Sequence, residues 1–195
     1  MRKIKEEDEN PIDTILIDMC ESVSEPVHLL GLTPNMITTI SLLFGLATAW
    51  LLYKRQYLLA CVFWAAQYFF DCLDGYIARK YDHVTVFGDY YDHISDVVKL
   101  SVVLFVLYRI NPIKFYRVLV VLTIFGILMI GHMGCQETEY DKEDESGSLS
   151  LSKTVCPNSF FKDVPSTLQY TKYFGCGTFN LVVIFGFLYY AARTK

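Results

Sequence analysis

Four aspartates stand at two helical spacings, Asp71 with Asp74 and Asp92 with Asp96. They belong to the stretch DCLDGYIARKYDHVTVFGDYYDHISD, residues 71–96, which holds six aspartates and no glutamate. Steps of three and four residues put each pair on one face of a helix. The turn between them carries His83 and Thr85, and Gly88 opens the next helix. Two helices packed antiparallel across that turn bring the four carboxylates together. Charges so gathered repel unless cations sit among them. All-oxygen ligation selects a hard cation, Mg²⁺ first, with Mn²⁺ or Ca²⁺ as alternatives. Gly75 and Ala78 leave space beside the carboxylates, and Arg79 lies one turn further, suited to a phosphate. A metal beside an arginine fits a phosphorylated substrate, whose in-line displacement such a centre orients.

The elements that position these residues are membrane helices. Of the 195 residues, 53% are hydrophobic, the mean hydropathy is +0.31, and the apolar residues come in long runs. A span needs roughly 20 apolar residues. Spans are predicted at residues 36–53, 57–70, 94–110, 115–133 and 173–192, the third carrying Lys99 and the last anchored by Arg193 and Lys195. The fold class is therefore all-α, a polytopic transmembrane bundle of five to six spans. Carboxylates at the mouth of a span mark a functional site, because burying them unpaired is costly.

Thr33 and Pro34 supply the cap and first position of the first span. Ahead of it, residues 1–10 are charged and expected to be disordered. Residues 11–30 form an amphipathic helix at the bilayer surface, or one packed on the membrane domain, with Asp13, Asp18 and Glu21 off the apolar face. The domain division is 1–32 for the N-terminal part and 33–195 for the membrane domain, with a polar insertion at about 134–172. No apolar stretch precedes the first span, so that span serves as the insertion signal rather than a cleaved leader.

The net charge of −4 comes largely from the polar insertion. No basic patch interleaved with aromatics is present, and nucleic acid is not an expected partner. The six cysteines show no CxxC spacing for zinc or redox work. Cys61 and Cys72 read as small apolar residues; Cys156 and Cys176 are a candidate disulfide should their segment face an oxidising lumen.

The complete pattern is D-x2-D-G-x2-A-R-x8-G-x3-D-x3-D, eight fixed positions over 26 residues. In this the chain resembles the CDP-alcohol phosphotransferases, over roughly residues 33–133, with Thr33-Pro34-Asn35 and Thr38 similar to the start of that family's first span. The resemblance implies transfer of a phosphate-bearing group from a CDP-linked donor to an alcohol, with release of CMP. It implies two Mg²⁺ or Mn²⁺ ions held by Asp71, Asp74 and Asp92, with Asp96 near the second ion and also the general base. Gly75 and Ala78 would make room for cytidine, Arg79 would bind the diphosphate, Gly88 would allow close approach, and Asn35 and Thr38 would touch the nucleotide.

It further implies a homodimer in a lipid bilayer, the endoplasmic reticulum in a eukaryote. The expected activity is a phosphatidyltransferase of phospholipid synthesis, taking CDP-diacylglycerol and a small alcohol. The alternatives are a choline or ethanolamine phosphotransferase that uses the CDP-alcohol with diacylglycerol and, in another class, an ion-coupled transporter. Residues around the last two aspartates point to no single acceptor: Asp92-His93 resembles choline and ethanolamine enzymes, Asp96-Val97-Val98 serine enzymes. His132, at the end of the fourth span, is either a pocket residue or, more commonly for a lone histidine, a core one.

Overall fold

Capping residues punctuate the chain into helices. The computed structural model describes residues 2–140, 155–157 and 163–192, and every regular element among them is helical. The Asn10 side chain accepts from the Ile12 amide, with Pro11 in the first position of α1 (Pro11–Leu29). Gly31, at φ +76°, then turns the chain in the left-handed region that glycine enters freely. Thr33 accepts from the Met36 amide and starts α2 (Pro34–Tyr53).

After a short reversal comes α3 (Tyr57–Lys80), then a turn at 81–85, then α4 (Val86–Ile110), capped by the Thr85 hydroxyl on the Gly88 amide. Asn111 ends α4 and Pro112 begins α5 (Pro112–Tyr140). Asp163 caps α6 (Val164–Thr171), which passes through one 3-10 turn, Lys172–Phe174, into α7 (Cys176–Ala191).

Three stretches are long and apolar enough to cross a membrane: Pro34–Tyr53, Pro112–Tyr140 and Val164–Ala191. Helices α3 and α4, with 24 and 25 residues, have the length as well, at about 1.5 Å per residue. Apart from Arg109 in the last turn of α4, their charged residues gather toward one end. Leu43, Val62, Phe105, Ile124 and Phe185 point outward and stay exposed, a surface suited to lipid rather than water. The eight residues of α6 are too few to span alone.

Helix α2 packs chiefly on α3 and α4, and α3 also meets α1 and α7. Far from the aspartates, Leu52, Trp64, Val103, Leu107 and Phe187 form one buried cluster. Two of its polar atoms are satisfied, as Trp64 Nε1 donates to Asn180 Oδ1 at 3.0 Å and the Tyr190 hydroxyl donates to the Leu107 carbonyl at 3.0 Å. The Tyr57 hydroxyl is buried with no hydrogen-bond partner among the described residues. Near the aspartates, Ile17, Cys20, Ile37, Leu73 and Ile77 bind α1 to α2 and α3. Helix α1 is thus packed on the bundle. Asp13 faces inward, accepting from the Tyr68 hydroxyl at 2.5 Å and the Gly177 amide at 3.2 Å.

Three expectations are corrected. Residues 2–10 are ordered, because charges distant in sequence meet them. Arg2 pairs with Glu9 at 2.8 Å and also with Asp18, Lys3 pairs with Glu137, and Asp8 accepts from Tyr140 and from Gln169. The disulfide joins Cys135 to Cys156, not Cys156 to Cys176; Cys156 returns beside the end of α5, while Cys176 lies against Met133. Finally, residues 134–140 continue α5 and 164–171 are helical, so the insertion has less loop than expected. Its most acidic and serine-rich parts, with Arg193 and Lys195, lie outside the described residues.

Candidate active site

Because α2 to α5 run alternately up and down, the start of α2, the end of α3, the start of α4 and the end of α5 share one end of the bundle. The signature residues sit at that end. Carboxylate oxygens of Asp71, Asp92 and Asp96 lie within 4.8 Å of one another. Asp74, the fourth, is buried beside them, and its Oδ2 accepts from the Thr38 hydroxyl at 2.6 Å. Asp92 Oδ1 is buried with no hydrogen-bond partner among the described residues.

An orphaned carboxylate oxygen within an all-oxygen acidic cluster is the donor set a hard divalent cation takes. The residues present therefore fit a hard divalent cation, with Asp71, Asp92 and Asp96 offering carboxylate oxygens close enough to share one and Asp74 beside them.

Beside the cluster opens a cavity of about 250 Å³. All six residues assigned to substrate from the sequence line it: Asn35, Thr38, Gly75, Ala78, Arg79 and Gly88, with Asp74 and Asp92 on its wall. The glycines have a steric reason. A Cβ at Gly75 would lie 3.1 Å from Arg79 Nη1, so glycine gives the guanidinium its place. A Cβ at Gly88 would lie 3.0 Å from Thr85 Oγ1 and 3.2 Å from Asn35 Oδ1.

Two lysines escaped the reading of the motif. Lys99, three residues after Asp96, is 2% exposed, and its ammonium lies 2.7 Å from Asp71 Oδ1, 2.7 Å from Asp96 Oδ1 and 2.8 Å from Ser41 Oγ. Lys3 lines the cavity from the N-terminal segment while paired with Glu137 of α5. The spacing of Lys99 from Asp96 was a signal available in the sequence; the placement of Lys3 was not.

His132 is not a pocket residue. It is 1% exposed, with Nδ1 3.0 Å from Thr171 Oγ1 and Nε2 2.8 Å from Gln136 Nε2, and it ties α5 to α6.

Outside the spans, two acidic groups near this end are perturbed. Burial raises the Glu9 carboxyl to about 7 against the pull of Arg2. Burial likewise raises Asp13 to about 6, opposed by its bonds from Tyr68 and Gly177.

The fold and site together define a helical membrane protein with an acidic cavity at one end of its bundle. The profile of the CDP-alcohol phosphatidyltransferases matches residues 31–190, and the chain belongs to that family. It is similar to the archaetidylinositol phosphate synthase of Pyrococcus horikoshii, 28% identical over 116 residues, 60% of this chain and 61% of that protein. Similar too are the CDP-diacylglycerol–serine O-phosphatidyltransferases of two Helicobacter pylori strains, 32% and 31% identical over 77 residues, 40% of this chain and 32% of each relative. The matches thus cover less than two thirds of these relatives' lengths. No solved structure matches the chain at comparable significance.

Proposed function

We propose that this chain is a metal-dependent phosphatidyltransferase of phospholipid synthesis, moving a phosphatidyl group from CDP-diacylglycerol to a small alcohol and releasing CMP. The observation that carries the reading is the meeting of three aspartates within 4.8 Å beside a cavity that Asn35, Thr38, Gly75, Ala78, Arg79 and Gly88 line. The relatives' names support CDP-diacylglycerol as donor, since two of them carry it.

A bound Mg²⁺ or Mn²⁺ would supply neutralising charge to the diphosphate and to the transition state. Arg79 donates to the diphosphate as a planar fork. Gly75 and Gly88 keep the cavity open for the nucleotide, with Asn35 and Thr38 on its α2 side. Asp96 takes the proton from the acceptor hydroxyl as that oxygen attacks the β-phosphorus and CMP leaves. Its side chain is 48% exposed, against 18% for Asp71, so it is the carboxylate open to an incoming acceptor.

The test is CMP release by purified protein with Mg²⁺, given CDP-diacylglycerol and, in turn, inositol, inositol phosphate, serine and glycerol 3-phosphate. CMP formed with CDP-diacylglycerol and one of these supports the proposal. CMP formed only from CDP-choline or CDP-ethanolamine with diacylglycerol would move the assignment to a head-group transferase. No CMP from any pair would return the ion-coupled transporter to consideration.

A further inference from the structure

The end of the bundle away from the aspartates has a charge pattern of its own. No acidic residue lies between Glu25 and Asp71, between Asp96 and Glu137, or after Asp163. Lys54 caps α2 and Arg55 follows it, Arg109 stands in the last turn of α4, and Lys114 and Arg117 lie in the first turns of α5. The last turn of α7 joins them there, since the Tyr190 hydroxyl donates to the Leu107 and Asn111 carbonyls. Trp50, Tyr53, Tyr108 and Tyr116 are exposed at the same end, as in the aromatic belt of a membrane–water interface. Cations at headgroup depth thus face no carboxylate of this chain.

Between α5 and α7 a groove of about 330 Å³ leads inward from that belt, with Val121, Val182 and Phe185 on its walls and Arg117 and Tyr189 at its outer end. Phe185 and Val121 are exposed, so the groove opens sideways, toward acyl chains. Arg117 is exposed as well, and its Nη1 donates to the Tyr189 hydroxyl at 3.1 Å, which holds the guanidinium across the groove mouth. Lys114, one turn away, donates to the Tyr190 carbonyl at 3.2 Å. An apolar groove in a bilayer selects nothing by itself, because lipid tails are as apolar as its walls. The charge at its mouth does select, and a planar guanidinium matches phosphate oxygens.

We propose that this groove binds an anionic glycerophospholipid, with one acyl chain along Val121, Val182 and Phe185 and the phosphate on Arg117. A zwitterionic head brings its own cation, which the basic residues here repel; a head of net negative charge leaves its phosphate to Arg117 and Lys114. The site lies at the opposite end from the proposed chemistry and does not depend on that reading.

The test is native mass spectrometry of delipidated, full-length protein in detergent, titrated with phosphatidylglycerol and with phosphatidylcholine of the same chains. Expected is one retained phosphatidylglycerol per chain at concentrations where phosphatidylcholine is not retained. Arg117→Gln should weaken that binding about fivefold, the share of roughly one basic residue at an anionic surface. Val121→Phe, which fills the groove from a lipid-facing position, should weaken it too. Arg109→Gln removes a cation at the same end but outside the groove, and should leave it unchanged. Equal retention of the two lipids, or unchanged affinity in Arg117→Gln, would overturn the proposal. So would equal losses in Arg117→Gln and Arg109→Gln, the mark of diffuse surface charge, or a dimer that Val121→Phe dissociates, which would give the groove to a second copy of the chain. Should a variant fail to fold, the wild-type comparison of the two lipids decides alone.

Discussion

Thr38 on α2 donates its hydroxyl to Asp74 Oδ2 on α3 at 2.6 Å, with both residues buried. The bond crosses between two helices and fixes the orientation of a carboxylate that lines the cavity. Groups that orient a metal-binding carboxylate typically change affinity or activity by about 10–100-fold when removed. Thr38→Val, which keeps the shape and loses the donor, is expected to weaken Mn²⁺ binding within that range, and Thr38→Ser to restore most of it. Unchanged Mn²⁺ affinity in Thr38→Val would mean that Asp74 does not depend on this bond.

Asp96 combines a fixed position with access. Lys99 holds its Oδ1 at 2.7 Å, yet nearly half of the side chain is exposed, 48%. Asparagine at this position keeps a polar partner for Lys99 and loses basicity. Positioned general bases contribute roughly 10²–10⁴-fold, so Asp96→Asn is expected to lose turnover on that scale while binding the CDP donor with near-normal affinity. Purified Asp96→Asn protein that turns over normally would sink the assigned role.

Gly88 sits where the cap of α4 meets the cavity. A methyl group there would approach both Thr85 Oγ1 and Asn35 Oδ1 to 3.0–3.2 Å, tighter than ordinary van der Waals contact. Thr85 is the cap of α4, so it has little freedom to give way. Gly88→Val is therefore expected to raise KM for the CDP donor by about tenfold or more, the scale of 1–3 kcal/mol for overpacking, with a smaller change in KM for the acceptor. Equal rises in both constants would point instead to a general distortion of the helix start.

The signature was legible because its residues are local: 26 positions hold two helix ends and the turn between them, so spacing translates directly into geometry. Long-range partners were not legible. A run of charges at residues 2–10 has the composition of a solvated tail, and partners distant in sequence, among them Glu137 and Tyr140 at the end of α5, order it. Asp13 likewise reads as a polar-face residue until Tyr68 and Gly177 are found opposite it. Cysteine pairing depended on where the insertion rejoins the bundle, which periodicity does not encode. Lys99 lay in plain view, but a lysine in an apolar run also reads as one whose ammonium snorkels to the interface. Its meaning came from Gly45 and Ser41 on another helix.

The ordered N-terminal segment carries a pH dependence whose sign can be worked out. Glu9 is 8% exposed, and burial raises its carboxyl from 4.5 to about 7 despite the pairing with Arg2. Between those values the folded chain keeps a proton that the unfolded chain has released. Stability therefore falls as pH rises through that window, and above about 7 the penalty is fully present. Asp13, raised to about 6, contributes with the same sign. Thermal unfolding in detergent is expected to give a higher Tm near pH 5.5 than near pH 8. Glu9→Gln stays neutral at every pH while Asp13 is retained, so the variant should show a shallower fall in Tm. The difference between the two slopes reports Glu9 together with its coupling to Asp13. Equal slopes in wild type and Glu9→Gln would show that the segment docks without regard to this proton.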